Sequence, residues 1–114
     1  MDAIDTQDLI DFLGKGKRAE KLEKYLREVE RRKGKVFLSI YTLLELAYLL
    51  EYSFGIDRER IVKSLRTLLE DRLFKVEGKS DFERALDFYS QGMDLLNALK
   101  QVQYEKFKVK RLEL

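Results

Sequence analysis

The chain has 114 residues, 45% apolar and 39% charged, enough for one hydrophobic core beneath a heavily solvated surface, and this argues against disorder. Its 23 Lys and Arg face 21 Asp and Glu, so the net charge of +2 does not by itself point to nucleic acid. With neither Cys nor His, the chain lacks disulfides, thiolate or imidazole catalysis and His- or Cys-bound metals, which leaves oxygen ligation of a hard cation.

Met1 to Thr6 reads as a clipped strand edge, followed by a turn and a short helix around Leu9, Ile10, Phe12 and Leu13 before Gly14 and Gly16. From Arg18 to Arg32, Ala19, Leu22, Tyr25, Leu26 and Val29 recur at three and four, an amphipathic helix ended by Gly34. Lys35 to Ser39 is a short interior strand, and a helix opened by Ser39 or Thr42 runs to Phe54, where Gly55 stops it. Asp57 caps the next helix, whose stripe is Ile61, Leu65, Leu68 and Leu69, ending near Asp71. Phe74 to Val76 is a third strand. After Gly78 come a Ser80-capped helix closed by Gly92, a helix from Asp94 to about Lys106, and an alternating segment, Phe107 to Leu114, predicted as a last strand. Strands separated by helices predict a single α/β domain over residues 1–114 with a short, mostly parallel central sheet in a three-layer α/β/α sandwich. The longest apolar run, Leu43 to Leu50, is broken by Glu45 and too short to span a bilayer; with no basic-then-apolar leader at Met1, a cytoplasmic protein is expected.

Three acids stand out. Asp5 follows Ile4 at a strand end, where ligands bind in open parallel sheets, and reads equally as the N-cap of the next helix. Glu45 lies in the apolar run Ile40 to Leu50, sharing a helix face with Tyr41, Tyr48 and Tyr52; it needs a partner or a metal unless it points to water. Asp94 opens the last helix, where a carboxylate also favours the helix dipole, and Asn97 lies within reach three residues on. Lys15, Lys17 and Arg18 after the first strand and Lys106, Lys108, Lys110 and Arg111 at the end are either phosphate contacts or ordinary solvated faces.

Ile4-Asp5-Thr6-Gln7-Asp8-Leu9-Ile10 resembles the strand-end signature I-D-T-N-x-L-I of PIN domains, with Gln7 in place of Asn. Phe37 to Leu50 resembles the second strand and helix of that family, and Ala85 to Tyr89 through Gly92 to Leu99 resembles its third segment. The three segments follow in order over nearly the whole chain, and the nearest pattern is that of VapC-like toxins. The resemblance implies a Mg²⁺- or Mn²⁺-dependent endoribonuclease, the toxin of a toxin and antitoxin pair, acting on RNA and forming a homodimer. Asp5 and Glu45 are the expected metal ligands, joined by Asp94 in compensation for the family's third acid, whose place Asn97 takes and where it assists; Thr6, Thr42, Tyr48, Lys15 and Lys17 are the expected substrate contacts. A fourth family acid, in a strand reading T-x-D, has no counterpart in Phe107 to Leu112. The alternative is a degenerate PIN-like domain that binds RNA or protein without cleaving. Phosphodiester hydrolysis requires neutralising charge on the phosphoryl oxygens and activating water, which a divalent ion on a few carboxylates does.

Overall fold

The computed structural model describes all residues, Met1–Leu114. Its elements are α1 (Thr6–Leu13), α2 (Ala19–Arg31), β1 (Val36–Phe37), α3 (Ile40–Tyr48), a π-helical turn (Leu49–Ser53), α4 (Arg58–Glu70), β2 (Phe74–Lys75), α5 (Lys79–Ser90) and α6 (Leu95–Lys106). This is an α/β fold with the expected PIN-like α/β/α layout. β1 pairs in parallel with β2, Val36 opposite Phe74, and on its other side forms a parallel bridge with Ala3. The predicted N-terminal strand is thus reduced to that bridge, held by Ile4 N–H donating to Phe37 O at 3.0 Å and Phe37 N–H to Asp2 O at 2.8 Å.

Helices supply most of the core. Leu43, Leu46 and Ala47 of α3, Ile61, Leu65 and Leu69 of α4, Phe82, Ala85, Leu86 and Tyr89 of α5, and Leu95 and Ala98 of α6 are all buried, closing over Ile4, Val36 and Leu38 from the strands. No helix is long and apolar enough to cross a membrane.

Four details differ from the sequence expectations. Phe107 to Leu114 forms no strand, and Phe107, Val109, Leu112 and Leu114 are exposed. Lys108 takes a left-handed φ of 56° and Val109 N–H returns to Tyr104 O at 2.9 Å, a Schellman ending that turns the chain back along α6 and away from any sheet edge. The helix after Gly78 starts at Lys79, with Gly78 itself at the N-cap in the left-handed region and Ser80 inside the first turn. The helix opened by Ser39 stops being α-helical at Tyr48; Phe54 N–H bonds Leu49 O at 3.0 Å, closing a π turn that inserts an extra residue before Gly55. At the end of α2 the left-handed residue is Lys33, φ 58°, rather than Gly34, whose N–H bonds Val29 O at 2.8 Å. Lys15 does the same after α1, φ 54°, with Gly16 N–H on Asp11 O at 2.7 Å. Three helices therefore end in one motif, each with a lysine where glycine is usual.

Candidate active site

Asp5 is the N-cap of α1 and the first of the candidate acids. Leaving the Ala3 bridge, its side chain accepts the Thr6 N–H at 2.7 Å, while Asp8 reaches back to the Asp5 N–H at 3.0 Å, a reciprocal capping arrangement that fixes where α1 begins. This puts Thr6, nearly fully buried, under α3, where its hydroxyl donates to Glu45 Oε1 and lies 3.5 Å from Asp5 Oδ1. Asp5 and Glu45, distant in sequence, thus flank one hydroxyl, and both carboxylates are exposed. Asp5 stands just past one parallel strand, and Ser39 caps α3 just past its neighbour, so the pair lies at the carboxyl ends of the sheet.

One turn along α3 from Glu45, the Tyr48 hydroxyl donates to Asp94 Oδ1 at 2.6 Å and accepts the Leu96 N–H at 3.2 Å. Asp94 Oδ2 accepts the Asn97 N–H at 3.1 Å, capping α6. Burial and the Asp94 bond raise the Tyr48 pKa above its ordinary value of 10, so the phenol stays a donor at neutral pH. Tyr52 stacks on Tyr48 at 5.9 Å; Tyr41 and Tyr52 are exposed. Asp5, Glu45 and Asp94 are therefore linked in a line of contacts, Asp5 and Glu45 through Thr6 and Asp94 through Tyr48 to the helix that carries Glu45, and no three acidic side chains gather closely enough to enclose an ion by themselves. Asn97 is exposed beside Asp94, and Thr42 is half-buried on the first turn of α3. Lys15 and Lys17 lie beyond the far end of α1, roughly 12 Å along the helix axis from Thr6.

An all-oxygen pair of carboxylates without imidazole or thiolate suits a hard divalent cation. Mg²⁺ is commonly held by one or two carboxylates and completes its shell with water and substrate phosphate, so Asp5 and Glu45 fit it.

A second polar cluster braces the turn that carries Asp94. Arg58 donates through Nε to Glu51 Oε2, and through one terminal nitrogen to Tyr89 O and Met93 O, all at 2.8 Å; its guanidinium lies 4.2 Å from the Tyr89 ring centre. The Tyr89 hydroxyl donates to Glu51 Oε1 at 2.8 Å. Burial works against the Arg58 charge, but bonding to Glu51 and its field outweigh that and keep the pKa above the usual guanidinium range. Burial and Glu51 also push the Tyr89 phenol up. The sequence signal for this cluster is a conflict: Arg58 is the first residue of α4, where a cation opposes the helix dipole and so must be satisfied elsewhere.

No family profile matches the chain, and no solved structure gives a significant match. Among curated proteins, a VapC ribonuclease of Aquifex aeolicus (strain VF5) is 33% identical over 114 residues, an alignment spanning 98% of this chain and 84% of that protein. Identity at that level over nearly both whole chains, on an α/β scaffold that brings Asp5 and Glu45 to the ends of parallel strands, establishes that the chain belongs to the VapC ribonuclease family of PIN-domain proteins.

Proposed function

We propose that the protein is a Mg²⁺- or Mn²⁺-dependent endoribonuclease of toxin type, and the observation that carries this is the meeting of Asp5 and Glu45 on the Thr6 hydroxyl. Asp5 and Glu45 hold the ion, and Thr6 orients the Glu45 carboxylate from a buried position. When bound, the ion supplies charge neutralisation at the phosphodiester and activation of the attacking water. Asp94, fixed by Tyr48, and Asn97 border the same line and act on solvent and substrate at its end. The protein works on RNA in the cytoplasm, as a homodimer restrained by an antitoxin-like protein. A groove of about 360 Å³ lined by Phe12, Leu26, Leu68, Leu73 and Phe74 supports a protein partner. Incubating purified protein with RNA in Mg²⁺ or Mn²⁺, with EDTA as control, tests the reading. Cleavage that EDTA stops and added ion restores is expected; intact RNA under every divalent ion would defeat it.

The second reading, a binding module that no longer cleaves, is favoured by Asn97 standing where the family carries an acid. Asn97→Asp tests whether that position bears on the ion. The new carboxylate sits in the first turn of α6, where the helix dipole favours it by about 0.3–1 kcal/mol and repulsion from Asp94 offsets that, so melting without metal should change little. Because the position is exposed, the gain in Mg²⁺ affinity should be about tenfold, on the order of 1.4 kcal/mol. Calorimetric titration checks this; equal affinity in both proteins means that residue 97 does not face the ion.

A further inference from the structure

Beside Asp94 begins a cleft of about 380 Å³ lined by Met93, Asn97, Lys100, Gln101 and Tyr104, with Arg111 on its far wall. Asn97, Lys100, Gln101 and Tyr104 recur at three and four on one face of α6, a strip roughly 10 Å long. Arg111 reaches it because the Lys108 turn folds the C-terminal segment back along that helix. Neither Lys100 nor Arg111 has a carboxylate partner, whereas nearby Arg84 and Lys106 are paired with Glu105 and Asp81. The other four well-formed clefts each include at least one carboxylate; this one has two cations, an aromatic ring, two side-chain amides and no acid.

We propose that this cleft is the path by which single-stranded RNA is led to the acid line, with Lys100 and Arg111 on phosphates and Tyr104 against a base. The path rests on the ribonuclease reading. Exposed Asp5 and Glu45 repel a polyanion, so a strand must be held by cations set outside them, and the acid-free cleft is lined by Met93 and Asn97, which flank Asp94 in the chain. An acidic polypeptide would also satisfy the cations. The phenol ring and the amides of Asn97 and Gln101 match base faces and base edges instead.

The test is the binding of a fluorescein-labelled 12-nucleotide oligouridylate in EDTA, where nothing is cleaved, to wild type, Lys100→Glu/Arg111→Glu and Tyr104→Ala. Lys24→Glu, on the solvent face of α2, is the surface control. All these side chains are at least partly exposed, and circular dichroism checks the fold. Charge reversal should weaken binding at least tenfold and lower the slope of log affinity against log salt by about 1.4, the loss of two phosphate contacts. Tyr104→Ala should weaken it roughly tenfold, and the control should leave it unchanged. If wild type cleaves RNA in Mg²⁺ while the reversal moves neither affinity nor salt slope, the path is overturned and the activity stands. If the reversal abolishes binding but no divalent ion supports cleavage, the path stands and the ribonuclease reading falls. If poly-glutamate competes as well as the RNA and Tyr104→Ala changes neither affinity, the cleft seats an acidic polypeptide and the RNA path is overturned.

Discussion

Glu45→Gln is expected to lower RNA cleavage by two to three powers of ten while leaving the melting temperature almost unmoved. The fold should be indifferent because the exposed Glu45 side chain makes one hydrogen bond, accepting from Thr6, and a glutamine oxygen accepts it equally well. The chemistry should not be. A neutral amide in the proposed two-carboxylate site removes half the anionic charge available to a divalent ion, and such an ion is worth several kcal/mol of transition-state stabilisation, each 1.36 kcal/mol being tenfold in rate. Single-turnover cleavage at saturating Mg²⁺, with thermal melts, measures both halves. Retention of more than a tenth of the wild-type rate would remove Glu45 from the site. A melting point lowered by many degrees would instead make it structural.

Arg58→Met should have the largest effect on stability, about 2–4 kcal/mol. Breaking a buried ion pair by removing one partner costs roughly 3–5 kcal/mol, and the lower range is taken because Arg58 and Glu51 keep 25% and 19% of their side-chain exposure. The loss leaves Glu51 with only the Tyr89 hydroxyl and frees the carbonyls of Tyr89 and Met93. Glu51→Gln/Arg58→Met should recover about 1–2 kcal/mol, since no uncompensated charge remains. Arg58→Lys should recover less than half, because an ammonium lacks the planar fork that serves a carboxylate and two carbonyls together. Urea unfolding of the three variants decides it; Arg58→Met within 0.5 kcal/mol of wild type would show that the cluster is idle.

Much of this molecule is legible in its residues, and the illegible parts share a cause. The helices were readable because their apolar stripes and their caps, Ser39, Asp57 and Asp94, are local features. Asp5 and Glu45 were visible as oddities of position, but that Thr6 joins them is a tertiary fact, as is the bond that draws Asp94 to Tyr48. The Arg58 cluster was hidden because Glu51 falls within the π turn, whose extra residue changes the face on which it emerges. Phe107 to Leu114 alternates as a strand does, but alternation prescribes pairing only where an edge lies within reach, and the turn at Lys108 faces the segment elsewhere.

Lysine at the left-handed ends of α1, α2 and α6 makes those ends responsive to ionic strength. A residue with a Cβ costs roughly 1–2 kcal/mol in that conformation, while a cation at a helix C-terminus returns about 0.3–1 kcal/mol through the dipole. Salt screens the return and leaves the steric cost untouched. The fold-back after Lys108, which carries Arg111 to the wall of the cleft along α6, is thus held partly by a force that dissolved salt removes. Brine therefore acts twice on any polyanion lying there, once by competing for the cations and once by loosening the hinge that presents one of them.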